Sequence, residues 1–190
     1  MQSENISILR KFVMEYGTIL GICWVAVFVF YVIGFRAESG LFMLLGMVGL
    51  FSLLPLEFYL GCRLKRRSVQ LGIKPTPFFS FMNTLSIFMY ACLLCGCVEY
   101  VYFAFIDKGA LLDAVSTLLD TPELKLAYSQ MGMTEHYKQA TEVIGELGTL
   151  SAFDKTLLLF NQNFLITLIL SVPVTVVSHL YKPHVAPAEL

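Results

Sequence analysis

Four long apolar runs, separated by polar segments, dominate the chain. They cover residues 13–35, 41–62, 77–106 and 156–180. A helix needs about 20 apolar residues to cross the hydrocarbon core of a bilayer, and each run is long enough. The pattern therefore predicts an all-α, polytopic membrane protein with four transmembrane helices, organised as one integral membrane domain over residues 1–190.

The third run is the longest, and Glu99 is its single charge. As a helix it would be about 45 Å long, against about 30 Å for the bilayer core. The next segment, residues 107–155, carries eight acids and four lysines, and several of its pieces are amphipathic at helical spacing. We predict that this segment forms a helical extracytoplasmic cap between the third and fourth spans. Thr76 and Ser151 precede those two spans as predicted N-caps.

Composition agrees with a membrane location. Hydrophobic residues make up 57% of the chain, the mean hydropathy is +0.72, and only 14% of residues are charged. A soluble domain carries about 25% charged residues. This composition argues against a single water-soluble domain, and the net charge of −1 argues against a basic nucleic-acid binder.

The positive charges cluster between the second and third spans. Arg63, Lys65, Arg66 and Arg67 lie in a segment, residues 63–76, that contains no acid and that we predict to be a loop. By the positive-inside rule this segment faces the cytoplasm, which puts both termini there as well. We therefore predict a multi-pass protein of the inner (cytoplasmic) membrane. The same patch is expected to set the orientation or to bind anionic membrane lipids.

The sequence offers little support for catalysis. Cys92, Cys95 and Cys97 have a spacing that suits metal or redox chemistry, but no second ligand pair accompanies them, so we interpret them as packing residues. The chain contains no GxSxG, HExxH or glycine-rich phosphate loop. The prediction is a protein that is not an enzyme and has no metal or other cofactor.

Small residues indicate where helices approach each other. Gly17 and Gly21 form a GxxxG motif in the first span, and Gly46 and Gly49 lie in the second. Such residues allow close helix packing inside a membrane. We predict that they pack the first span on the second within one chain, with self-association of two chains as the alternative.

Polar residues near the span ends form a second group. Glu99 lies toward the outer end of the third span, and Asn161, Gln162 and Asn163 lie toward the outer end of the fourth. The favoured interpretation is a solvated, interfacial Glu99. The alternative is a buried Glu99 that accepts hydrogen bonds from Asn161, Gln162 or Asn163. Glu57 is predicted to be an interfacial carboxylate paired with Arg63, Lys65 or Lys11.

The order of these parts resembles a known family. Two spans at the start of the chain are followed by the basic segment KRRSVQLGIKP. A third span ends in EYVYFAFID, and the polar segment PELKLAYSQMGMTEHYKQATEVI separates it from the last span. This arrangement is similar to the bacterial membrane family catalogued as domain of unknown function 4199. The resemblance implies four spans, no assigned activity and no catalytic residue. It also implies an accessory role, sometimes beside lipid-linked glycosyltransferases.

Two functions follow as hypotheses. The first is a non-enzymatic accessory or assembly subunit that binds a larger membrane protein, with a lipid-linked glycosyltransferase as one candidate partner. The second is a small oligomeric transporter or channel in which Glu99 and Asn161 line a polar path. The transporter hypothesis predicts a water-accessible cavity at Glu99, whereas the accessory-subunit hypothesis predicts an apolar surface that a partner fills.

Overall fold

The computed structural model describes residues 2–74 and 76–182, with side chains from residue 5 onward. Within these ranges every regular element is helical. The predicted C-terminal tail, residues 183–190, lies outside the described residues. The helices are α1 Gln2–Arg36, α2 Gly40–Gln70, α3 Pro77–Val101, α4 Ala110–Leu119, α5 Pro122–Gln130, α6 Thr134–Thr149 and α7 Ala152–Leu180, and α3 continues as a π-helical segment, Tyr102–Asp107.

Four of these helices are long and apolar enough to cross a membrane, which confirms the predicted all-α, four-span class. The candidate spans are Asn5–Arg36, Gly40–Gln70, Pro77–Asp107 and Ala152–Leu180. Around the bundle their order is α1, α2, α7 and α3, because α1 packs on α2 and α3 while α7 packs on α3 and α2. The predicted caps are also present. The side chain of Thr76 accepts a hydrogen bond from the backbone N–H of Phe79, and that of Ser151 accepts one from the backbone N–H of Asp154.

The basic segment is helical, and the prediction of a loop over residues 63–76 was wrong for most of its length. α2 runs past the apolar residues as far as Gln70, so the connection to α3 begins at Leu71. Arginine, lysine and leucine are all good helix formers, and the end of an apolar run marks a membrane boundary rather than a helix end. The amide of Asn5 donates to the carbonyl oxygen of Leu71, 2.9 Å away, and so holds this connection against α1.

The glycines pack helices together within the chain, but two of them face a different helix from the one predicted. A Cβ atom at Gly17 would lie 2.5 Å from Tyr90 Cβ, and one at Gly21 would lie 3.1 Å from Ala91 Cα. Both neighbours belong to α3, so the predicted contact of Gly17 and Gly21 with the second span was wrong. Gly46 and Gly49, in contrast, face α1 as predicted, against the Tyr31 ring and Val27.

The joint between α3 and α4 is built on Asp107, which is buried. Its carboxylate accepts a hydrogen bond from the Tyr102 hydroxyl at 2.8 Å and others from the backbone N–H groups of Gly109 and Leu111. Lys108 and Gly109 have left-handed backbone angles, with φ of 48° and 91°. Asp107 therefore holds the sharp turn that follows the third span and caps α4.

The segment between the third and fourth spans consists of the three short helices α4, α5 and α6. None of them has a fully buried residue, and they pack on one another, with α4 also packing on α1. The ammonium group of Lys125 donates a hydrogen bond to Asp120 at 3.0 Å and holds the pKa of that carboxyl below its usual value. Helical structure in this segment agrees with the prediction, while its extracytoplasmic location stays a prediction.

Candidate functional site

Two glutamates lie inside the bundle. Glu57 of α2 is 4% exposed and Glu99 of α3 is 3% exposed. The favoured interpretation of Glu99 as a solvated interfacial carboxylate was therefore wrong, and the alternative of a buried acid holds. Counting residues along a helix gives the depth of a side chain but not the direction in which it points.

Glu57 also departs from its prediction. In the part of the chain that the structure describes, ion pairs join only Lys125 to Asp120 and Lys138 to Glu135. Glu57 is therefore not paired with Arg63, Lys65 or Lys11. The continuous helix explains this for Arg63 and Lys65, which lie more than one turn farther along α2, while Glu57 points inward. Lys11 lies on α1 and is exposed.

Both glutamates line one cavity of about 430 Å³ at the centre of the bundle. All four spans contribute to its wall, and the surfaces are mostly aromatic and aliphatic. The lining residues that matter most for its chemistry are Trp24, Phe28 and Tyr31 from α1, Phe51 and Glu57 from α2, Cys95 and Glu99 from α3, and Asn163 from α7.

Three polar atoms of residues that line this cavity are buried and have no hydrogen-bond partner among the described residues. They are Oε2 of Glu57, Oε2 of Glu99 and Nε1 of Trp24. The other oxygen of Glu99, Oε1, accepts a hydrogen bond from the Cys95 thiol at 3.3 Å. A buried polar atom without a partner costs about 1–3 kcal/mol, so three around one cavity need an explanation.

The predicted polar cluster is only partly assembled. Asn163 lines the cavity with Glu99, and its amide faces the Glu99 carboxyl group. Asn161 and Gln162 are exposed on the outside of α7 and do not line the cavity. The prediction therefore holds for Asn163 and was wrong for Asn161 and Gln162. Glu57 was missed as a member, and the isolated acid within an apolar run was the signal that could have identified it.

The contact between α2 and α7 lies toward the C-terminal ends of both helices. A Cβ at Gly61 would lie 2.9 Å from Val174 Cγ1, so the two helices are in close contact there. The ammonium group of Lys65 also donates to the carbonyl oxygen of His179 at this end. Farther from Gly61, the two helices border the cavity instead of each other, with Phe51 and Ile166 at its edge.

A second concave surface lies at the basic end of α2. Three arginines line a cleft of about 560 Å³, which we call the arginine cleft: Arg63, Arg66 and Arg67. The Arg67 guanidinium lies 4.9 Å from the centre of the Phe12 ring, and that of Arg63 lies 5.5 Å from the Tyr16 ring. Lys65 lies outside the cleft and contacts α7. The predicted patch therefore has three members rather than four.

We expect the arginine cleft to hold an anionic phospholipid. Replacing Arg63, Arg66 and Arg67 together by glutamine removes three charges, each contributing about 1 kcal/mol near a membrane surface. The number of anionic lipids that co-purify, counted by native mass spectrometry, should fall. The matched control replaces Arg10, Lys11 and Lys74, three exposed cations outside the cleft, and should keep the lipid. Equal losses in both variants would show that only overall charge matters.

The structure brings together no metal-binding group among residues 2–74 and 76–182. Cys92 and Cys95 are buried thiols on the inner side of α3, while Cys97 is exposed on another face. Because exposed Cys97 lies on a different face of α3 from buried Cys92 and Cys95, the three thiols do not form the shared site of the alternative interpretation.

One comparison with known proteins gives a match. Residues 15–178 match the model of a family described as "Protein of unknown function (DUF4199)". No curated protein and no solved structure matches the chain significantly. The family match covers the second and third candidate spans completely and most of the first and fourth.

Proposed function

We infer a function from the site itself, since the chain belongs to DUF4199, a family of proteins of unknown function. We propose that it is a small, non-enzymatic membrane transporter that binds its solute in the central cavity. The observation that carries this proposal is the pair of buried carboxyl groups, Glu57 and Glu99, each with an unpartnered oxygen at the same cavity.

The energetic cost of these groups supports a role in binding. Ionisable residues are expensive inside a membrane, and when present they mark the paths of ions, protons or substrates. A purely structural acid would be expected to have its hydrogen bonds satisfied by neighbouring side chains. Among the described residues, Oε2 of Glu57 and Oε2 of Glu99 have no such partner in hydrogen-bonding geometry. A bound solute that donates hydrogen bonds or carries positive charge would complete the site.

Carbodiimide labelling tests this proposal. Dicyclohexylcarbodiimide is apolar and enters membranes, and the O–H group of a protonated carboxyl adds across one of its C=N bonds. The carboxyl oxygen bonds to the central carbon and the proton goes to nitrogen, so the product gains the whole mass of the reagent. We expect mass spectrometry to find label on Glu57 or Glu99.

The controls separate a reachable cavity from a sealed one. Glu57→Gln and Glu99→Gln should each remove the label from the altered position. Glu142, which is exposed on α6, provides the comparison for reaction outside the bundle. Absence of label from both Glu57 and Glu99 in the intact protein would show that no small molecule reaches them, and the transporter proposal would fail.

An accessory subunit is the second candidate, and one observation favours it. The helices between the third and fourth spans expose large apolar side chains outside the candidate spans, notably Leu126, Met131 and Val143. Such a surface suits a larger membrane protein partner. If this candidate is correct, a partner should co-elute after gentle detergent extraction, and Leu126→Glu with Met131→Glu should abolish co-elution without changing the yield of the chain.

We further propose that the arginine cleft faces the cytoplasm of a bacterial cell, with both termini on that side of the inner membrane. The cluster of cations at the C-terminal end of α2 and the acidic segment after α3 support this orientation. Reporter fusions after Lys74 and Lys182 should report the cytoplasm, and a fusion at Gly132 should report the outer side. A cytoplasmic signal at Gly132 would reverse the orientation.

A further inference from the structure

The entrance of the central cavity lies within the hydrocarbon layer. Phe51 of α2 is 67% exposed, and Ile166 of α7 is about half exposed, although both line the cavity. They lie 11 residues from Gly40 and 14 from Ala152, in helices of 31 and 29 residues. These positions are roughly 16 Å and 21 Å along helices of about 45 Å, close to the middle of each span. The gap between α2 and α7 therefore opens sideways into lipid.

The basic end offers no comparable entrance for a cation. There α2 and α7 are closed against each other at Gly61, Val174 and Ser178. The arginine cleft beyond this closure presents three positive charges. A positively charged solute would be repelled at that end, whereas the sideways gap between α2 and α7 presents no charge before the two acids.

The wall of the cavity suits an organic cation. The faces of aromatic rings attract cations, and Trp24, Phe28, Tyr31 and Phe51 supply four rings around the cavity. In their ionised form, Glu57 and Glu99 supply the negative charge. A hydrated inorganic ion would not reach this entrance through lipid. An anion would be repelled by the two carboxyl groups. A volume of about 430 Å³ lies within the range of small-molecule sites.

We propose that the central cavity binds an amphiphilic organic cation, which enters from the hydrocarbon layer through the gap between α2 and α7. This inference rests on the proposed transport function and adds the class of solute and its route. The apolar part of the solute lies against the aromatic wall, and its positive centre lies at Glu57 and Glu99.

The chain carries its own reporter for this binding. It contains a single tryptophan, and that residue, Trp24, lines the cavity. The protein in lipid nanodiscs is titrated with tetraphenylphosphonium while tryptophan emission is recorded. We expect a saturable change in emission. The matched probe is tetraphenylborate, which has the same shape and the opposite charge and should give no saturable change.

Variants show whether the acids bind the cation. Glu57→Gln with Glu99→Gln should weaken tetraphenylphosphonium binding by about tenfold or more, which corresponds to about 1.4 kcal/mol. Glu142→Gln with Glu146→Gln alters two exposed acids of α6 and should leave binding unchanged. Equal responses to both probes, or no effect of the cavity variants, would mean simple partition into lipid and would overturn the inference.

The route has a separate test. Ile166→Phe enlarges a side chain at the entrance and should slow association of the cation. Leu165→Phe makes the same kind of change at a neighbouring exposed position that does not line the cavity, and it should not slow association. Equal rates in the two variants would overturn the sideways route.

The two proposals can fail separately. Carbodiimide labelling without cation binding would contradict the cation inference alone, whereas absence of labelling would contradict the transport function itself.

Discussion

Gly17→Ala is expected to destabilise the bundle by about 2 kcal/mol, in the range for overpacking of a close-packed core. The added Cβ would lie 2.5 Å from Tyr90 Cβ and 2.8 Å from the carbonyl oxygen of Ile87. One of these neighbours is backbone, so α1 and α3 must move apart along their contact. Gly17→Ile should cost more, and thermal unfolding in detergent measures both. Gly21→Ala should cost less, because its nearest neighbour lies at 3.1 Å.

The matched control is Gly145→Ala in α6. A Cβ there would have no neighbour within 4 Å, so the same chemical change should stabilise the helix by up to about 1 kcal/mol. Opposite signs at Gly17 and Gly145 are therefore the expected pattern. Unchanged stability of Gly17→Ala, with unchanged size in detergent, would show that this face of α1 meets lipid rather than α3.

Glu57→Leu is expected to raise the free energy of unfolding by about 1–3 kcal/mol. Glu57 is buried, and its Oε2 atom has no partner among the described residues, so leucine of similar size removes an unsatisfied polar group. A residue that lowers stability in this way is typical of a functional site. Urea or thermal unfolding in the same detergent measures the difference.

Glu99→Gln completes this prediction and tests Glu99 separately. Glutamine keeps the oxygen that the Cys95 thiol contacts, so the expected change in stability is small or favourable. Glu142→Leu, at an exposed position, should change stability by less than about 0.5 kcal/mol. A loss of about 2 kcal/mol or more in Glu57→Leu would mean that the carboxyl group has a structural partner and is retained for folding.

The class of fold could be predicted from the sequence because a membrane imposes a simple requirement. Each of the four apolar runs is long and apolar enough to cross a membrane, and the caps at Thr76 and Ser151 follow from local hydrogen bonding. These features depend on composition and on neighbours within one turn. Predicting these features does not require knowing which helices pack against each other.

The site was harder to predict because it depends on the rotation of each helix. In a span that is apolar on every side, periodicity does not reveal the inward face, so Glu57 and Glu99 looked interfacial. For the same reason the partner of Gly17 was assigned to the adjacent hairpin helix rather than to α3. The basic residues of α2 were misplaced for a different reason, because the end of the apolar run was taken as the end of the helix.

The central claim is that Glu57 and Glu99 face one shared cavity, and cross-linking measures this most directly. Glu57→Cys and Glu99→Cys are combined in a background without the five native cysteines and treated with a short bifunctional thiol reagent. The control pair combines Glu99→Cys with Tyr59→Cys, which lies on the exposed side of α2. The structure predicts an intramolecular cross-link for the first pair and none for the second. Failure of the first pair to cross-link, or equal yields from both pairs, would contradict a shared cavity.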